Sequence, residues 1–180
     1  MPKKTKNERR AEAFKAELQR TVDRLYALSG AFLRAETAYE KFREEAAKLF
    51  SSGKTEDELV ASIPERMARL ENDSLIRAGS LLMVYLGLLY ALIEAWRKWD
   101  FDHSAVDDLL KSSLVEELKD YRHAVFHVND VTDPRIMQWT AQKETVAWTQ
   151  QLLAGFRIAL LAWHQDLEQR ATIKVGRRPV

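Results

Sequence analysis

Cysteine is missing from all 180 residues. Its absence excludes disulfides, thiol nucleophiles and thiolate metal sites, and makes a reducing cytoplasm the expected compartment. Glycine and proline are scarce, at six and four. No Gly-rich phosphate loop, strand-like alternation, low-complexity linker or internal repeat is present. Charge of one sign is lacking as well: 28 basic residues stand against 27 acidic ones, so any basic binding site must be local. The one long apolar run, Ala78 to Ile93 between Arg77 and Glu94, falls short of the roughly 20 residues of a membrane span. It is expected to be a buried central helix, with no membrane partner. The opening MPKKTKNERRAE is charged and leads into an amphipathic pattern, so no secretory signal is expected.

What is plentiful is Ala, Leu, Glu, Lys, Arg and Gln, an all-helical composition. A chain of this length supports one domain with a substantial core. The expectation is an all-α, single-domain helical bundle over 1–180, with about four main helices and short extra ones, a basic arm at 1–7 and a flexible tail at 171–180. From Phe14 to Leu49 the positions Phe14, Leu18, Thr21, Leu25, Leu28, Phe32, Ala35, Tyr39, Phe42, Ala46 and Leu49 alternate steps of four and three. The phase survives Ser29-Gly30, which predicts one long helix with a weak point at Gly30. Ser51-Ser52-Gly53 ends it.

Thr55 with Glu58 and Ser62 with Glu65 form capping boxes for short helices. The apolar helix starts at Ser74 and closes on Trp96, Trp99 and Phe101, an aromatic plug at the bundle end. Asp102 or Ser104 is expected to cap a short helix over Ala105 to Lys111, and Ser113 with Glu116 to box the next one. Asp133 and Pro134 open a last helix to Gln169 or Arg170. Its inward face is read as Trp139, Val146, Leu153, Phe156, Leu160, Trp163 and Leu167. His164 has no partner that the sequence names. Glu94 and Arg77 either line the bundle interior or, more often for such residues, mark where a buried helix reaches solvent.

The stretch LVEELKDYRHAVFHVNDVTD, Leu114 to Asp133, gathers the unusual polar residues. As a helix it carries a core stripe of Leu114, Leu118, Tyr121, Val125 and Val128. Glu116, Asp120, His123 and His127 form a column nearly opposite. Arg122 lies at the stripe's edge beside Phe126, and the helix ends near Asn129, Asp130 and Asp133-Pro134. A polar cluster where a helix meets a loop is a natural place for function.

Within it, YRHAVFH resembles the R-polar-x3-H signature of the HEPN superfamily (higher eukaryotes and prokaryotes nucleotide-binding). Arg97 to His103 and Arg157 to His164 fit a looser spacing. Of the three, only Arg122 combines an amide-like or polar residue directly after it with a place late in a helix, a core stripe before it, and a polar loop and another long helix after it. The resemblance implies an all-helical bundle, often a homodimer, and a metal-independent endoribonuclease of toxin-antitoxin or phage-defence systems. RNA would be its substrate, a cognate antitoxin its partner, and it would need no cofactor. In the ribonucleases that the motif resembles, the 2′-hydroxyl attacks the neighbouring phosphate and leaves a cyclic phosphate. His127 would be the acid/base and Arg122 the phosphate clamp. His123, Asp120 and Asn129 would support them. Residues five apart point about 140° away from each other on a regular helix, so convergence requires a frayed helix, a curled Arg side chain or two facing copies of the motif. The last matches the composite dimer site that the family uses.

Two other readings share these residues. In one, the polar column is a solvated face, Arg122 pairs with an acidic neighbour, and the chain is a catalytically silent helical interaction module that binds through Phe32, Tyr39 and Phe42 of its first helix. In the other, His123 and His127, one turn apart, begin a metal site that Asp120 or Glu116 and a distant His103, Asp130 or Glu94 would complete.

Overall fold

A computed structural model of the chain describes residues 5–50, 74–126 and 142–175, with side-chain surroundings over 5–48, 77–125 and 142–169. The all-α class holds. Among the described residues there are five α-helices and one 3-10 turn, and no strand. They are α1 (Lys6–Phe50), α2 (Ser74–Lys98), α3 (Ser104–Asp107), the 3-10 turn Leu109–Lys111, α4 (Leu114–Phe126) and α5 (Lys143–Val175). The capping boxes at Thr55 and Ser62, and the Asp133-Pro134 helix start, lie outside the described residues.

α1 runs unbroken through Gly30 for 45 residues, about 67 Å at roughly 1.5 Å per residue. It begins earlier than the arm expected over 1–7, because Thr5 and Glu8 cap it reciprocally. The Glu8 amide donates to Thr5 Oγ1 (3.3 Å) and the Thr5 amide to Glu8 Oε2 (2.7 Å), the capping-box arrangement. The Thr5 amide and hydroxyl hold the Glu8 carboxyl below its usual range. Leu25, Leu28, Phe32 and Ala35 of the stripe are buried. Phe14 is not, at 57 % exposure, because α1 outruns the 25 residues of α2.

α2 lies at the centre, antiparallel to α1 and parallel to α5. Tyr39 of α1 meets Tyr85 of α2 at 4.9 Å between ring centres, and Arg77 of α2 reaches Glu45. Tyr85 donates its hydroxyl to the Thr149 carbonyl of α5 (3.1 Å), while Trp96 packs edge-on against Phe156. Leu28, Leu89, Leu92, Ile93, Leu118, Leu152 and Phe156 are fully buried in the shared core, each contributing roughly 1.5–3 kcal/mol by removal from water. The helix spans Ser74–Lys98, starting at Ser74 as its pattern predicted. Residues Arg77–Lys98 form a 22-residue segment whose most apolar 18-residue window has a mean hydropathy of 1.7, long and apolar enough to cross a membrane, with 44 % of that window buried inside the protein. Length therefore does not separate a span from a core helix here. The outward Val84 stays 47 % exposed among the described residues.

The end of α2 is a six-residue cap. The Phe101 amide returns to the Trp96 carbonyl (3.2 Å) and the Asp100 amide to that of Arg97 (3.3 Å), with Asp100 left-handed at φ 57°. This is a Schellman motif, and its apolar contact is Phe101 against Trp96, 5.5 Å between rings. Trp99 and Trp163 complete the aromatic plug.

The short helix is capped by His103, not by Asp102 or Ser104. Its Nδ1 accepts from the Ala105 amide (3.2 Å) and its own amide donates to Asp107 Oδ2 (2.7 Å), a histidine standing in for the usual hydroxyl. Asp107 also accepts from Trp96 Nε1 (2.9 Å), so it ties α3 to α2. The helix stops at Asp107, and the 3-10 turn takes up the rest of the expected span. At the start of α4 the hydroxyl that meets the first amide is that of Ser112 (3.2 Å), and Glu116 turns to Lys119 (2.9 Å) in place of boxing Ser113.

α5 extends to Val175, past the expected stop at Gln169 or Arg170 and into the expected tail. Leu153, Phe156 and Leu160 face inward as expected, but Val146 is 44 % exposed and Trp148, Thr149 and Leu152 take the inner side.

Candidate functional site

α4 presents its inner face as Val115, Leu118 and Tyr121, all buried, with Leu114 and Val125 partly covered. Val115 is an addition to the stripe read from the sequence, and Val128 lies outside the described residues. Glu116, Asp120 and His123 are exposed, as a polar column opposite a core stripe must be. His127 and Asn129 lie outside the described residues, so the pairing of Arg122 with His127 is not part of the described geometry.

Arg122 has a defined seat. Its Nη1 donates to Glu94 Oε2 at 3.0 Å, and its guanidinium carbon stands 5.2 Å from the centre of the Tyr90 ring. Tyr90 and Glu94 are one turn apart on α2, so a single face of that helix supplies both an aromatic surface and a carboxylate. The pair is open to solvent, with side chains 39 % exposed for Arg122 and 51 % for Glu94. Exposed ion pairs contribute on the order of 0–1 kcal/mol to stability, and cation–π contacts at such sites about 0.5–1 kcal/mol. Their consequence is orientation more than stability.

Tyr90 is 7 % exposed. Burial first, and then the Glu94 carboxylate, push its hydroxyl above the ordinary tyrosine range, with Lys119 and Arg122 pulling the other way. Five side chains from α2 and α4 (Tyr90, Glu94, Glu116, Lys119 and Arg122) thus form one electrostatic group at the surface. Glu94 marks where α2 reaches solvent, the second of the two roles its sequence position allowed. The same is true of Arg77, 51 % exposed beside Glu45. Tyr90 was missed by sequence reasoning. Its only signal was the four-residue step to Glu94, hidden within an apolar run.

The other histidines have structural employment. His103 caps α3. His164 Nε2 lies 3.0 Å from Ser29 Oγ and edge-on to Tyr26, where it joins α5 to α1. Arg157, on the same side of α5, pairs with Glu36. Among the described residues no three metal-capable side chains converge, and Asp130, named with His127 as a further ligand, lies outside them.

What this arrangement offers chemically is a fixed, solvent-facing guanidinium. Glu94 engages Nη1 alone, so its carboxylate does not occupy the guanidinium fork through which an arginine takes an oxyanion. No family model, curated protein or solved structure matches the chain, so its own residues carry the functional reading.

Proposed function

We propose that the protein is a HEPN-like, metal-independent endoribonuclease that works as a cytoplasmic homodimer in a toxin-antitoxin or phage-defence setting. The observation that carries this reading is Arg122, seated on Tyr90 and Glu94 and half-exposed to solvent, five residues ahead of His127 in the YRHAVFH motif. The 2′-hydroxyl of RNA attacks the adjacent phosphorus, and the bond to the 5′-oxygen breaks. The products are a 2′,3′-cyclic phosphate and a 5′-hydroxyl. His127 moves the proton, and Arg122 meets the charge that builds on the phosphate oxygens. Two motifs, one per copy, supply the acid and the base together. In this reading the apolar side of α2 serves the bundle core and not a lipid bilayer.

The test is cleavage of total cellular RNA by wild type and His127→Ala, with chelator present, alongside the mass in solution. Cleavage by a wild-type dimer, unaffected by chelator and absent in the mutant, is expected. Chelator-sensitive cleavage would instead support a metal site at His123 and His127.

One observation favours the silent interaction module: Arg122 pairs with an acidic neighbour, as that reading requires. The binding surface it assumed must move, however. Phe32 is buried and Tyr39 and Phe42 are half-buried, so changes there would damage the fold. The exposed apolar residues of α1 are Phe14, Tyr26 and Leu33. A well-folded protein that cleaves no RNA would leave the module as the better account.

A further inference from the structure

We infer that Glu94 is a positioning residue of the ribonuclease site, fixing the Arg122 guanidinium for a phosphodiester substrate. The inference rests on the ribonuclease reading above. Arg122 lies in the penultimate turn of α4, half-exposed, where a long side chain without partners samples many rotamers. Two contacts remove that freedom. The guanidinium carbon stands 5.2 Å from the centre of the Tyr90 ring, and the bond from Nη1 to Glu94 Oε2 ties one end of the group to α2. Both partners come from the central helix α2, which Leu89, Leu92 and Ile93 anchor in the core with no exposure. The seat is therefore rigid while the guanidinium it holds remains open to solvent.

The alternative role for Glu94 is competitor: a carboxylate that occupies the guanidinium until RNA displaces it. The engagement of a single nitrogen argues for positioning. A blocking carboxylate is expected to take the fork in bidentate fashion, whereas Glu94 accepts from Nη1 alone. Preorganised donors act on the transition state, so their loss appears in kcat more than in KM.

The experiment is steady-state cleavage of a fluorophore-labelled single-stranded RNA by full-length wild type, Glu94→Ala, Glu94→Gln and His127→Ala, with denaturation midpoints for each. Glu94→Ala is expected to lower kcat by about tenfold or more with KM nearly unchanged. Glu94→Gln, whose amide oxygen still accepts from Nη1, is expected to restore most of the rate. Midpoints close to wild type are expected for both, because the pair is exposed. Wild-type kcat in a folded Glu94→Ala protein would overturn the inference while leaving the ribonuclease reading intact. A raised kcat/KM in that variant would also overturn it, in favour of the competitor role. An inactive wild type would instead overturn the ribonuclease reading itself, and this inference with it.

Discussion

Two glycines inside long helices have opposite surroundings. A Cβ on Gly30 would meet nothing nearer than the flexible tip of Arg34 at 3.8 Å, so the residue leaves α1 with backbone entropy that alanine would reduce. A Cβ on Gly155 would stand inside contact distance of the Ala105 carbonyl oxygen and 3.1 Å from its carbon. The main chain of α3 rests directly on α5 at that point. Gly30→Ala is therefore expected to raise stability by up to about 1 kcal/mol. Gly155→Ala gains the same propensity but overpacks against backbone, a cost of roughly 1–3 kcal/mol, and is expected to lower stability. Urea midpoints of the two variants check the pair, and equal shifts of the same sign would contradict the packing. The contrast was invisible in sequence, where both glycines sit among helix formers.

At the scale of elements, the cap of α2 holds a strained residue. Asp100 adopts φ 57°, a conformation that costs an L-residue roughly 1–2 kcal/mol and glycine almost nothing. Asp100→Gly is expected to raise stability by about 1 kcal/mol and to keep the Phe101 return to Trp96. Thermal denaturation checks the first part and Trp fluorescence the second. Ends of helices were only partly legible. Capping residue types mark roughly where a helix begins, but the exchange of Asp102 or Ser104 for His103 as the cap of α3 follows from where Asp107 points. That carboxylate is held by Trp96 of another helix.

For the molecule as a whole, three tyrosines link stability to alkaline pH. Burial raises the hydroxyls of Tyr85 and Tyr90, and that of Tyr121 to about 12. An unfolded tyrosine titrates near 10. Above that value the unfolded chain has lost protons that the folded one keeps, so unfolding is favoured as pH rises. The contribution is complete below pH about 10 and is lost as pH climbs through the folded values. Denaturant midpoints should hold level on the neutral side of about 9.5 and fall steeply towards 12. In Tyr26→Phe, which removes the exposed tyrosine, most of the tyrosinate absorbance is expected to rise together with the loss of helical circular dichroism. Tyrosinate forming well before the helix signal falls would mean these hydroxyls are not buried.

The sequence by itself determined what is local and periodic. Absent strand patterns and scarce breakers dictated helices, a four-three stripe located the buried side of α1, and Leu118 and Tyr121 marked the inner side of α4. Periodicity repeats along the chain, so it can be read without knowing the neighbours. Where neighbours end, it fails: Phe14 keeps the stripe's phase and is exposed because α1 outruns α2. The tertiary structure alone decided which side chains meet. Arg122 was legible as a motif residue, but its seat on Tyr90 and Glu94, 28 residues from the latter, was not. The same holds for His164 and Ser29, 135 residues apart. Such contacts are set by the rotation and offset of one helix against another, which the summed packing of the core fixes and no spacing within a single helix encodes.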